Sequence, residues 1–131
     1  MARNETLIET QLMRGLERVL DQASLRHRVL TTNLANVDTP GYRTREVPNF
    51  TAEIEQAMAS WAGEDATTLP SMTPVARQVR GLMERPDGNN VSVERESLLL
   101  AENQLRFQVA VAFLKSEFHR LSMAINGGPG S

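Results

Sequence analysis

From about Thr6 to Asn36 the apolar residues keep step with an α-helix. Met13, Leu16, Leu20, Ala23, His27, Leu30 and Leu34 follow one another at spacings of three and four. Side chains at those spacings stack along one helical face, so the stretch predicts a single amphipathic helix. Thr6 and Glu9 fit a capping box, in which hydroxyl and carboxylate satisfy free amide groups at the helix start. His27 is the polar exception in the stripe and reads as a partly buried packing residue.

A second periodic block runs from about Ser92 to Ile125. Val93, Leu100, Phe107, Leu114 and Leu121 recur every seven residues, with Val111, Phe118 and Ile125 at the intermediate position. A strict seven-residue repeat winds a helix left-handedly around its partner. Ser92 suits the N-cap, Glu94 and Glu96 in the first turn and Arg120 near the end suit the helix dipole, and Gly127, Gly128 and Pro129 stop the helix. The two blocks together predict an all-α fold, a long N-terminal helix packed antiparallel on a long C-terminal helix as a coiled-coil hairpin. Its intrachain contacts fall to Met13, Leu16, Leu20, Leu30 and Leu34 against Leu100, Phe107, Leu114, Phe118 and Leu121.

Four units follow: residues 1–36 and 92–126 as the two core helices, 37–91 as an elbow, short helix and arm, and 127–131 as a tail. Within the middle unit, Phe50, Ile54, Ala57, Met58 and Trp61 make a short helical stripe after Asn49 that Gly63 ends. "GEDATTLPSMTP" reads as a loop, and "VARQVRGLM" as a short strand or an extended arm. "RPDGNN" signals a turn, because Pro presets one dihedral and Gly or Asn accepts a positive one.

The C-terminal helix carries a second apolar face. Leu98, Ala101, Leu105, Val109 and Ala112 share a side, and at about 100° per residue Leu105 points away from Phe107. The N-terminal helix shows a weaker version in Ile8, Leu12 and Val19. A helix apolar on two sides needs cover on both, and leaving large side chains exposed forfeits roughly 1.5–3 kcal/mol each. These five residues are therefore expected to meet other subunits. The alternative is an ordinary small bundle in which the middle segment covers them.

Between the blocks stands "NLANVDTPGY", residues 33–42. Pro40 disfavours helical geometry at Thr39, so the helix ends before it. Asn33 and Asn36 tolerate left-handed backbone and can bond the last-turn carbonyls, and Asp38 can fold onto amide groups ahead of it. Thr39-Pro40-Gly41-Tyr42 places Pro then Gly at the centre of a type II turn. The stretch reads as a rigid elbow that aims Tyr42 and Arg43.

Composition removes most other functions. The net charge is −2 and the basic residues are interleaved with acids, so no footprint for nucleic acid exists. With no cysteine, thiolate metal sites, cysteine nucleophiles and disulfides are excluded. His27 and His119 lie far apart, no hydrolase or phosphate-loop motif appears, and neither catalysis nor a cofactor is expected. The N-terminus lacks the apolar core and cleavage site of a signal peptide, and no run reaches the roughly 18 apolar residues of a membrane span.

"NLANVDTPGY" after an amphipathic helix resembles the signature of the bacterial flagellar rod and hook axial proteins. "NNVSVERESLLLAENQLRFQ", residues 89–108, is similar to the pattern of proximal rod members of that family. The resemblance covers about residues 10–55 and 86–126. It implies a structural subunit of the proximal rod that polymerises through its terminal helices into a hollow, torque-transmitting shaft. It also implies the partners: copies of itself, other rod subunits, the adaptor joining rod to membrane ring, and membrane-ring and export-gate components. Export without a cleaved signal peptide to a periplasmic basal body is part of the same expectation. Two alternatives stand beside it: another short rod subunit, or a soluble coiled-coil adaptor or chaperone whose apolar face holds a client.

Overall fold

The computed structural model describes residues 2–48 and 75–127, with side chains of the first helix described from Met13 onward. The short helix expected over residues 50–62 and the loop expected over residues 63–74 lie outside the described residues.

Two long helices make the frame. Helix α1, Ala2–Ala35, has 34 residues and so is about 51 Å long. It begins ahead of the expected capping box: Thr6 is already helical, because the preceding Ala, Arg and Glu are good helix formers that let the helix run through it. Helix α2, Val93–Ile125, starts at the N-cap Ser92, whose hydroxyl accepts from the Arg95 amide at 3.3 Å. It ends at Asn126, whose N–H donates to the Ser122 carbonyl, and Gly127 follows at φ 110°. Arg120 is not in the last turn. It pairs with Glu117 one turn back, at 2.8 Å.

The helices run antiparallel. Near the end of α1, Asn33 reaches Glu96 in the first turn of α2, while further back Ala23 meets Asn103. The all-α hairpin is therefore the fold, with one small addition: a two-stranded antiparallel ribbon of β1, Arg45–Glu46, and β2, Arg77–Gln78. Arg45 stands opposite Gln78 and Glu46 opposite Arg77. The chain leaves the ribbon along α1, burying Val47, and the Pro48 carbonyl accepts from Gln22 Nε2 at 2.8 Å.

Packing along the seam follows the expected heptads only in part. Leu30 is 1% exposed and Ala23 is buried. Met13, Leu16, Leu20 and Leu34 on α1, and Leu100, Leu114 and Leu121 on α2, are half-buried. The intermediate rung of α2 is Glu96, Asn103, Ala110 and Glu117; of the residues expected there Val111 is half-buried beside it, and Phe118 and Ile125 are exposed. Phe118 is 58% exposed, Val93 is exposed as well, and Phe107 lies at the seam's edge. Both choices keep spacings of three and four, and hydrophobicity favours the wrong one. Hydrogen bonds at Glu96 and Asn103 turn the helix toward the other. His27 likewise is exposed, not partly buried.

Candidate functional site

Two features distinguish the surface and core: a polar interlock at the elbow and an apolar face along α2. The interlock is built around two asparagines. Asn33, fully buried, is still inside α1, and uses its whole side chain. Its amide donates to the Arg45 carbonyl at 2.7 Å and to Glu96 Oε2 at 2.9 Å. Its oxygen accepts from the Tyr42 hydroxyl at 2.9 Å and from the Arg45 amide at 3.1 Å. An amide side chain offers two donors and two acceptor lone pairs, so none is left over.

Asn89 repeats the arrangement from the other side. It donates to the carbonyls of Asn36 and Thr39, both at 2.9 Å, and accepts from the Val91 amide and the Arg85 guanidinium. Asn90 completes the set by taking the Thr44 amide at 2.7 Å, while its carbonyl takes the Thr44 hydroxyl. Buried polar groups are costly when unmatched. Among the described residues no buried side-chain nitrogen or oxygen lacks a partner. Segment 36–47 is thus fastened at once to the end of α1, the start of α2 and the turn before α2.

Two turns meet inside this interlock. Tyr42 N–H closes on the Thr39 carbonyl at 3.2 Å, with Gly41 at φ 74°, which is type II geometry. Gly88 N–H closes on Arg85 at 2.9 Å and Arg85 N–H bonds back to Asn89, so "RPDGN" forms a type I turn with a glycine bulge. The turns lie back to back. Gly41 N–H donates to the Asp87 carbonyl at 2.9 Å, and a Cβ on Gly88, itself at φ +86°, would stand 3.3 Å from the Gly41 Cα.

Some elbow residues act differently from expectation. No non-glycine residue among those described has positive φ, so Asn33 and Asn36 are not left-handed. Asn36 does bond a last-turn carbonyl, that of Thr32, at 2.8 Å, and accepts the Thr39 hydroxyl. Asp38 does not fold back. Its side chain is 94% exposed, 4.0 Å from Arg85, and Asp87 supplies the turn's capping carboxylate by accepting the Asn89 amide. Pro40 is exposed at the corner.

Ion pairs surround the interlock. Arg95 bridges Glu46 at 2.9 Å and the fully buried Glu96 at 2.7 Å, which compensates that carboxylate's loss of water. Arg43 pairs with Glu84 at 3.0 Å. Burial raises Tyr42 above the ordinary phenol range; Arg45 opposes the shift and Glu96 adds to it. Arg26, half-buried on α1, is lowered by burial and then by the like charge of Arg106.

The second feature is the far side of α2. Leu98, Leu105 and Val109 are each more than 60% exposed, Ala101 and Ala112 are exposed beside them, and Phe113 continues the line. No helix among the described residues is long and apolar enough to cross a membrane.

Sequence reasoning missed Thr44, Asn89, Asn90, Glu96 and Asn103. Asn89 and Asn90 read as turn formers, Glu96 as a first-turn dipole charge, and Asn103 as a helix residue with no packing role. The available signal was a heptad: Glu96, Asn103, Ala110 and Glu117 are seven apart and occupy one side of the seam.

No family model matches the chain. Individual relatives do. The chain is 34% identical to the flagellar basal body rod protein FlgB of Aeromonas hydrophila, over 82% of this chain and 87% of that protein. It is 37% identical to FlgB of Cereibacter sphaeroides over 78% of this chain and 84% of that protein. With FlgB of Bacillus subtilis it shares 27% identity over 88% and 94%. A helical hairpin with a hydrogen-bonded elbow, alignable to these relatives along most of both lengths, belongs to the FlgB family of flagellar basal body rod proteins.

Proposed function

We propose that this chain is a structural, non-catalytic subunit of the proximal rod of the flagellar basal body, polymerising through its terminal helices. The observation that carries the reading is the exposed apolar face of Leu98, Leu105 and Val109 on α2. It lies away from the seam that closes the hairpin, and a single described chain leaves it uncovered. Phe118 and Ile125 make a second exposed line nearer the seam, so α2 offers apolar surface to neighbours on two sides. A tube wall needs subunits joined through two different patches, because such head-to-tail contacts extend or close a ring, whereas one self-complementary patch stops at a dimer.

The neighbours in this reading are copies of the chain, other rod subunits, the adaptor between rod and membrane ring, and ring and export-gate components at the rod base. The subunit takes its place in the periplasmic basal body. The four units of the chain divide the work: residues 1–36 and 92–126 build the wall, 37–91 hold the elbow and arm, and 127–131 form a tail.

The test is Leu105→Asp. The purified variant should keep the helical circular dichroism of the wild type, since the site is exposed in the single chain. Its incorporation into basal bodies should be lost. Normal rods and motility in that variant would mean the face is not an interface.

A further inference from the structure

The ribbon has one sealed edge and one open edge. On β1 the outward amide and carbonyl both belong to Arg45, and Asn33 takes the two of them. On β2 the Val79 amide bonds inward to the Thr44 carbonyl at 3.0 Å. Antiparallel pairs alternate between bonded and non-bonded positions. The N–H and C=O of Gln78, opposite Arg45, therefore point away from β1, and Arg80 follows two residues on, past the paired residues. No partner for the Gln78 groups exists among the described residues, and both residues are exposed. An unpaired row of this kind is a template for another strand.

The side chains beside that edge are cationic and uncommitted. Arg43, Arg85 and Arg95 of the elbow all have partners, while Arg45, Arg77 and Arg80 are exposed with none among the described residues. Register and alternation put Arg45, Gln78 and Arg80 on one ribbon face and Arg77 on the other. The Arg45 backbone is held in place, because both of its polar groups are clamped by a buried residue. A guanidinium binds carboxylate in a two-pronged fashion. Two such β2 edges would repel each other through Arg77 and Arg80, so copies of the ribbon do not pair with themselves.

We propose that the open edge of β2 receives an extended, carboxylate-bearing segment of a neighbouring subunit by strand addition. Main-chain bonds to Gln78 supply the attachment, and Arg45, Arg77 and Arg80 select an acidic strand. That the partner is a neighbouring subunit rests on the rod reading; the edge and its charge do not.

Gln78→Pro tests the main-chain half. Proline removes the outward N–H and leaves the bonds between β1 and β2 in place. Incorporation into basal bodies should fall roughly two- to tenfold, the loss of one net hydrogen bond, with thermal stability unchanged, while Gln78→Ala incorporates normally. Arg77→Glu with Arg80→Glu tests the charged half without touching any buried group, and should reduce incorporation by a similar factor. Normal incorporation of either the proline variant or the double reversal overturns the proposal. Should Gln78→Pro fail to fold, the double reversal decides alone. Failure of the rod reading itself would appear separately, as normal assembly of Leu105→Asp.

Discussion

Asn33 in α1 donates to Glu96 in α2 at 2.9 Å, and both side chains are fully buried. A polar contact sits where a hairpin of this pattern would ordinarily carry leucine. It joins the last turns of one helix to the first turn of the other and to the elbow between them. Replacing Asn33 by Leu strands the Tyr42 hydroxyl, the Arg45 amide and carbonyl, and one side of the Glu96 carboxylate. At about 1–3 kcal/mol for each unsatisfied buried group, urea denaturation should show a loss of at least roughly 3 kcal/mol. A loss below about 1 kcal/mol would mean water replaces the network at little cost.

Gly88 should tolerate change less than Gly41. Both have positive φ, which strains a side chain by about 1–3 kcal/mol. A Cβ on Gly41 meets nothing within 4 Å, whereas one on Gly88 presses against the Gly41 backbone at 3.3 Å. Thermal denaturation should therefore rank Gly88→Ala as more damaging than Gly41→Ala, and Gly41→Val should block rod assembly. Arg43→Ala, which removes an exposed ion pair, should cost less than about 1 kcal/mol. Equal melting temperatures for the two glycine variants would contradict the back-to-back packing of the turns.

Tyr42 makes stability fall at alkaline pH. Its hydroxyl is raised above the ordinary value, so the folded chain holds that proton after the unfolded chain has released it. The contribution is complete below the unfolded phenol value, about 10, and is lost as pH climbs through the higher folded value. The chain has a single tyrosine, so ultraviolet titration of tyrosinate reads it directly, and should show a midpoint that drops when urea unfolds the protein. Tyr42→Phe should remove this part of the pH dependence and cost about 0.5–1.5 kcal/mol at neutral pH.

Leu30 and Leu105 separate folding from assembly. Leu30 is 1% exposed and Leu105 is 62% exposed. Leu30→Ala should destabilise the single chain by about 2–5 kcal/mol. Leu105→Ala should leave its denaturation midpoint nearly unchanged while weakening incorporation into rods. The reverse order in equilibrium denaturation would relocate the core.

The sequence by itself determined the two helices, their ends near Ala35 and Ser92, the antiparallel hairpin, the type II turn at Pro40-Gly41 and the second apolar face of Leu98, Leu105 and Val109. Each of these follows from local chemistry or from periodicity: spacing of apolar residues, proline's fixed φ, glycine's access to positive φ. Tertiary structure decided which heptad position of α2 meets α1, because Ala110 and Val111 are both compatible with the repeat. It also decided that Asn33 is a hub instead of a helix terminator, that Asn89 is a hub as well as a turn residue, that Asp38 stays in solvent, and that residues 77–78 pair with 45–46. Those outcomes depend on groups far apart in the chain finding each other's hydrogen-bonding atoms. An asparagine has the same propensity whether its amide faces water or four buried partners, so only the assembled fold distinguishes the two.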